Sequence, residues 1–468
     1  MFGSVVLFMI RPVDGVIAAL GIAIIWISLL PWLAHAFYAK SSAVPFFPAA
    51  GTFYAVFFGL PVFTILLAWP DSNSILLYSR VHVGDIRAEV LLLAAASIFG
   101  MVCSFYIAYF MLKNLPTFTL PNVVSTVNPA PLYWVLLVVH QVDRIVPGWS
   151  SIPSAQQFFE PAGYVAFGGF YLLWRRGKLL RVQALLIFGL MMPLEIYLRL
   201  RLLYLTDILL MLIFAALLLW RERQFKVVTI FAVLGLLILS LYGTSAVMRY
   251  SKLQGLERVT HIVQVYVAQF VDGAPTFEMY AGQSEGRPYQ FWGRFGAVVM
   301  RTSHIWVFHV VDTTSPEPIP YWNGATYRPV LTSFIPRVLY PSKPEELFGL
   351  EFGRRYGFLE PDQTGTSVNL PWLTELLANF GALGVVLGMP LYGLLLAFLD
   401  RVFNARDMSD PAFLIGLTLI FPLVYPESNF SVMTGSMILL FLAMYVFFVG
   451  GSWLIKELPT SLRRILPG

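Results

Sequence analysis

The stretch WLTELLANFGALGVVLGMPLYGLLLAFL, Trp372 to Leu399, decides the fold class. After Glu375 it runs to its end without a charged side chain, and about 20 apolar residues are what an α-helix needs to cross the hydrocarbon core of a bilayer. Such a helix satisfies its backbone N–H and C=O groups internally, the condition for entering lipid. Comparable stretches repeat outward from this one. Toward the C-terminus, spans are expected near 411–427 and 431–449; toward the N-terminus, near 226–244, 202–220, 182–198, 159–174, 90–112, 46–69 and 15–38. The segment 121–140 is ambiguous, because Asn122, Asn128, Pro129 and Pro131 precede the apolar run from Leu132 to Val139. It reads as a span, a re-entrant piece or a buried turn.

Composition points the same way. Of 468 residues, 58% are hydrophobic and 12% charged, whereas a soluble domain is about a quarter charged. The net charge of +5 fits basic residues that set membrane orientation, so no nucleic-acid partner is expected. The single cysteine, Cys103, lies in an apolar stretch, which excludes an intramolecular disulfide and a cysteine metal site. No basic region precedes the apolar start, and Arg11 and Asp14 follow it, so the first span is expected to stay in the mature chain. The expected fold is an all-α polytopic membrane protein with about 10–12 transmembrane helices. It divides into N-terminal membrane helices over 1–244, one large loop over 245–370, and C-terminal membrane helices with a cytoplasmic tail over 371–468.

Orientation follows from lysine and arginine in the short connections. Arg175, Arg176, Lys178 and Arg181 crowd one; Arg221, Arg223 and Lys226 crowd another; Lys456, Arg463 and Arg464 mark the tail. Placing these in the cytoplasm puts 245–370 on the periplasmic side. Acidic and basic residues balance over that loop, so it carries no formal net charge to oppose translocation. It is far longer than a connection requires, and Phe291, Trp292, Trp306, Phe308, Tyr321, Trp322 and Tyr327 are too many aromatics for a solvated linker. Within it, VTHIVQVYVAQFV (259–271) and FGAVVMRTSHIWVFHVV (295–311) read as short amphipathic helices or membrane-surface segments.

No Walker loop, G-x-G-x-x-G, H-E-x-x-H or G-x-S-x-G is present. His304 and His309 stand five apart, not at the spacing of three or four that shares a helix face, so no metal or other cofactor is expected. The recurring functional group of the loop is arginine, whose planar fork matches phosphate oxygens two at a time. An arginine cluster facing the outer leaflet suits a lipid phosphate or diphosphate.

Three stretches carry a family resemblance. FIPRVLYPSKP, Phe334 to Pro344, LPWLTELLANFGALGVVLG, Leu370 to Gly388, and RFGAVVMRTSHIWVF, Arg294 to Phe308, resemble elements of the O-antigen polymerase family, the Wzy-like oligosaccharide repeat-unit polymerases. The order of spans, large loop and final small group of spans is similar too. The family's basic-small motif in a mid-chain span is not kept: YLRLRLLYLTD, Tyr197 to Asp207, lacks its glycine. The resemblance implies a C-type glycosyltransferase-like fold in the bacterial inner membrane. It further implies transfer of a glycan from undecaprenyl diphosphate to a sugar hydroxyl of another lipid-linked unit, with membrane lipids and a chain-length regulator protein as further partners.

For that chemistry the diphosphate is already a good leaving group, and fixed cations would neutralise the charge that grows on the bridging oxygen. Arg337 and Lys343 are the first candidates, then Arg301 and Arg294, with Arg199 beside them. Glu375, where the loop re-enters the membrane, is the leading general base and His304 the second. Each has a structural rival. Pro336, Pro341 and Pro344 would make Arg337 a clamp on a rigid turn; Glu375 and Asn379 would form a helix pair, as would Glu195 and Arg199; Gly384 and Gly388 fit close helix packing. A ligase of the O-antigen type and a lipid or polysaccharide flippase are the alternative functions.

Overall fold

The computed structural model describes residues 14–38, 44–68, 75–77, 81–83, 85–146, 156–202, 205–240, 256–257, 259–261, 263–264, 267, 296–333, 335, 340–343, 347–435 and 437–459. The N-terminal part holds α1 (Gly15–Tyr38), α2 (Phe46–Tyr54), a π-helical turn (Ala55–Gly59), α3 (Pro61–Ala68), the ribbon β1 (Ile75–Leu77) and β2 (Val81–Val83), and α4 (Ala88–Met111). Next come α5 (Asn122–Thr126), α6 (Ala130–Ile145), α7 (Gln156–Arg175), α8 (Arg181–Ala184), a second π-helical turn (Leu185–Met191), α9 (Met192–Leu202), α10 (Leu205–Arg221) and α11 (Phe225–Ser240). The loop contributes α12 (Gly296–Thr302), α13 (His304–Thr314), α14 (Val330–Ser333) and α15 (Phe348–Arg355), and the C-terminal part α16 (Trp372–Phe403), α17 (Asp410–Val424), α18 (Phe430–Thr434) and α19 (Met437–Glu457).

Six helical stretches among the described residues are long and apolar enough to cross a membrane: Gly15–Phe37, Phe46–Thr64, Ala88–Asn114, Arg181–Arg199, Trp372–Phe403 and Phe430–Glu457. Phe225–Ile238 and Asp410–Val424 are apolar but shorter. Their outward faces are as apolar as their inward ones. Leu92, Phe99, Ile107 and Phe110 of α4, Leu383, Leu387 and Leu391 of α16, and Ile438, Leu442 and Val446 of α19 are all exposed. Water would oppose such a belt and lipid accepts it. The chain is an α-helical membrane protein.

Small residues let the central pair, α4 and α16, approach closely. A Cβ on Gly393 would fall 2.2 Å from Ser104 Oγ and 2.4 Å from the Met101 carbonyl oxygen, while Ser104 Oγ donates to the Pro390 carbonyl at 2.8 Å. The helix ends separate into two groups. At one end, Arg176 pairs with Asp410, Arg221 donates to the Met408 carbonyl at 2.8 Å, Arg401 donates to the Tyr109 carbonyl, and Asn404 bonds the Val44 backbone. At the other, Arg87 pairs with Asp312 at 2.5 Å and Arg301 with Glu427. We term these the basic end and the loop end.

The stretch Trp372–Leu399 is not one straight span. Leu376 and Gly388 would lie about 18 Å apart along a continuous helix, yet a Cβ on Gly388 would come 2.4 Å from Leu376 Cδ2. Likewise the rings of Trp372 and Tyr392 meet at 4.7 Å. The chain reverses at Gly381, whose φ of 65° and ψ of −162° belong to glycine alone. Residues 372–380 therefore fold back on residues 382–403, which still extend about 33 Å and suffice for a crossing. Gly384 and Gly388 serve the packing role expected of them, within one hairpin rather than between distant helices. The ambiguous segment 121–140 resolves into the short α5 and the helix α6.

Candidate functional site

At the loop end the chain breaks between α12 and α13 at Ser303, so that Arg301 and His304 emerge on either side of one turn. The segment 295–311, expected as an amphipathic helix or a membrane-surface segment, thus holds two helices. His304 enters a pocket of aromatic rings built by the end of α2 and the π-helical turn that follows it: Phe57 stacks on it with centroids 5.0 Å apart, and Phe53 and Phe58 flank it at 6.4 and 6.2 Å. π-helical turns often occur where a helix must present side chains irregularly, and this one places two phenylalanines, Phe57 and Phe58, beside one imidazole, with Phe53 of α2 next to them. Burial, reinforced by the Arg301 cation, lowers the His304 pKa well below its ordinary value. The ring is neutral at pH 7.

Arg301 and His304 converge on Glu427, in the connection between α17 and α18. Arg301 Nη1 forms an ion pair with Glu427 Oε1, Asn369 Nδ2 donates to the same oxygen at 2.6 Å, and His304 Nε2 stands 3.5 Å from it. Glu427 was not among the residues expected from sequence. The span read at 411–427 absorbed it, whereas α17 stops at Val424, ahead of Pro426, where a proline disfavours helix at the preceding residue. The remaining signal was an acid in YPESNF between two apolar runs.

Glu375 lies on the buried arm of the α16 hairpin. Its Oε2 accepts the Phe430 backbone N–H at 2.6 Å at the start of α18, and Trp372 packs on the Phe430 ring at 4.6 Å. Asn379 donates to the Glu375 backbone carbonyl at 2.8 Å, so the expected helix pair exists through the main chain. The same amide donates to Thr326 Oγ1 at 2.9 Å, and its oxygen accepts the Gly324 N–H at 3.0 Å. The backbone N–H groups of Trp322 and Asn323 reach the Ala378 and Asn379 carbonyls at 3.0 and 3.1 Å. Together these bonds cap the otherwise unsatisfied end of the arm. Tyr327 stacks on Phe380 at 5.8 Å; burial and the Glu375 charge raise its pKa well above the ordinary value, so it remains a phenol.

The remaining expected residues fall in three places. Lys343 is buried at the loop end and donates from Nζ to the Ser333 carbonyl at 2.9 Å, on α14, which packs against α18. Arg294 and Arg337 lie outside the described residues, as does most of 259–271. Arg199 belongs to a different cluster. It pairs with Glu195 at 2.6 Å and Glu160 at 2.5 Å, while Arg144 pairs with Glu160 and His140 Nε2 lies 3.0 Å from Glu195. Two carboxylates already occupy its guanidinium, which holds α7 and α9 together. A Cβ on Gly163 would come 2.6 Å from His140, so that glycine makes room for the imidazole. At the basic end, a cavity of about 490 Å³ opens between Ser125–Pro129 and Gly177–Leu180, remote from these groups.

Among the described residues, no group of three or more His, Cys, Asp or Glu side chains is arranged to hold a metal ion. What the loop end offers instead is one arginine and one neutral imidazole on one carboxylate, Glu427, with a second carboxylate, Glu375, bonded to the nearby Phe430 N–H, in a largely dry setting. No family model, curated protein or solved structure matches the chain.

Proposed function

We propose that the protein polymerises lipid-linked oligosaccharide repeat units, moving a glycan from undecaprenyl diphosphate to a sugar hydroxyl of a second lipid-linked unit. The observation that supports this reading is the meeting of Arg301 and His304 on Glu427, with Glu375 bonded to the backbone N–H of Phe430 three residues further along, where the loop returns to the membrane. A cation beside carboxylates at that depth matches a reaction whose leaving group is a lipid diphosphate and whose nucleophile is a hydroxyl. In this reading the loop 245–370 is periplasmic, the bundle crosses a bacterial inner membrane about 10–12 times, and its arrangement is that of a C-type glycosyltransferase. Lys343, Arg294 and Arg337 supply further charge to the diphosphate from the same loop.

The test is extension of a defined lipid-linked repeat unit by purified protein in proteoliposomes. A ladder of longer lipid-linked glycans is expected. Transfer only to an acceptor that is not a lipid-linked repeat unit would indicate a ligase, and movement of unextended lipid between leaflets a flippase; either outcome rejects polymerisation.

A further inference from the structure

Arg301, His304 and Asn369 all approach Glu427 through Oε1. Among the described residues, Oε2 makes no hydrogen bond or ion pair. The side chain as a whole is 7% exposed. Glu375 is used differently, because its Oε2 is engaged by the Phe430 N–H and so ties the start of α18 to the α16 hairpin. Tyr425, two residues before Glu427, packs edge-on against Phe53 and Phe57, the rings that also enclose His304. Glu427 is thereby fixed from both sides of its connection.

Resting on the polymerase reading, we propose that Glu427 is the general base and that its ion pair with Arg301 is a latch opened by the donor diphosphate. Without donor, the guanidinium and carboxylate neutralise each other. A lipid diphosphate carries more negative charge and a better bidentate match, so it draws Arg301 away from Glu427. A carboxylate that loses a contacting cation binds a proton more tightly. Glu427 thus becomes a stronger base at the moment the donor is in place.

In the step itself, the acceptor hydroxyl oxygen attacks the anomeric carbon of the donor glycan and its proton passes to Glu427 Oε2. The bond from that carbon to the diphosphate oxygen breaks, and its electron pair leaves with undecaprenyl diphosphate, whose added charge Arg301 meets. His304 is a positioning residue: it is neutral, enclosed by rings, and borders the Oε1 side of the carboxylate. Glu375 is a second positioning residue, acting through the Phe430 backbone.

The experiment uses the full chain in nanodiscs with undecaprenyl diphosphate as the binding probe, beside repeat-unit extension in proteoliposomes. Glu427→Gln should bind undecaprenyl diphosphate more tightly than wild type by about fivefold or more, the scale of a removed competing interaction. Its extension rate should fall by about a hundredfold or more. Glu427→Asp should recover part of that rate. Arg301→Ala should lose probe binding, and tight binding by Glu427→Gln would itself show that this variant is folded. Glu375→Gln should retain more transfer than Glu427→Gln but show a lower unfolding temperature. Near-wild-type extension by Glu427→Gln overturns the base assignment, and unchanged or weaker probe binding overturns the latch. If wild type itself extends nothing while Glu427→Gln still binds the probe more tightly, the polymerase reading and the base assignment fail and the latch stands.

Discussion

At His304 and His309 the imidazoles are buried among apolar neighbours, and both hold their protons more weakly than a solvated histidine. His309 is lowered to about 4, by burial and then by Arg87, and His304 well below its ordinary value. Between the unfolded value of about 6.5 and these lowered values the unfolded chain binds more protons than the folded one. Their contribution to stability is therefore complete above about pH 6.5 and is lost as pH falls toward 4. We expect the unfolding temperature of detergent-solubilised protein to decline from pH 7 to pH 5, with a shallower decline in His304→Gln/His309→Gln; an unchanged slope in that variant would refute the account. Single residues also show what sequence can reveal. Arg301, His304 and Glu375 were recognisable because each stands out chemically against an apolar background. Glu427 was not, since its importance rests on contacts with residues more than 50 and more than 100 positions away, which no local pattern encodes.

Elements were more legible than their joints. The expected spans at 15–38 and 90–112 correspond to α1 and α4 within a few residues, because long apolar runs admit little else, whereas 202–220 forms the helix α10, which is not among the stretches long and apolar enough to cross. The reversal inside α16 was invisible, as glycine at 381 is compatible with a helix and only the packing of Leu376, Phe380 and Tyr321 demands the turn. The π-helical turns escaped for the same reason: hydropathy does not register one extra residue in a helix. The hairpin permits an ordered set of predictions. Gly381→Ala must adopt a backbone conformation reserved for glycine, and its Cβ would meet Tyr321 Oη at 2.7 Å; a cost of about 1–3 kcal/mol is expected from the backbone alone. Gly384→Ala would place Cβ 2.3 Å from Phe380 Cβ and 2.9 Å from the Leu376 carbonyl oxygen, atoms that cannot swing aside. Gly388→Ala meets the movable end of the Leu376 side chain. Unfolding temperatures should therefore fall more for Gly381→Ala and Gly384→Ala than for Gly388→Ala, and the reverse order would show that the arm does not pack as described.

For the whole molecule, the decisive quantity is which end faces the cytoplasm. Arg176, Arg221 and Arg401 gather at the basic end, held by Asp410, Met408 and Tyr109, and Lys178 is exposed beside Arg176. At the loop end Arg87 and Arg301 are each matched by a carboxylate. The excess of positive charge in short connections thus lies at one end, and such an excess stays in the cytoplasm during insertion. The proposed orientation puts the loop end, with Glu427 and Glu375, on the periplasmic side, where the proposed reaction requires its lipid-linked substrates. In a Cys103→Ala background, Asp362→Cys, at an exposed position in the loop, should react with a membrane-impermeant maleimide on spheroplasts. Lys178→Cys should react only after the membrane is opened. The opposite pattern would place Arg301 and Glu427 on the cytoplasmic side, away from an outer-leaflet donor, and would remove both the orientation and the polymerase reading that depends on it. Labelling of both positions only after opening would have the same consequence for the loop, because position 362 is exposed at the surface and no burial would explain its silence.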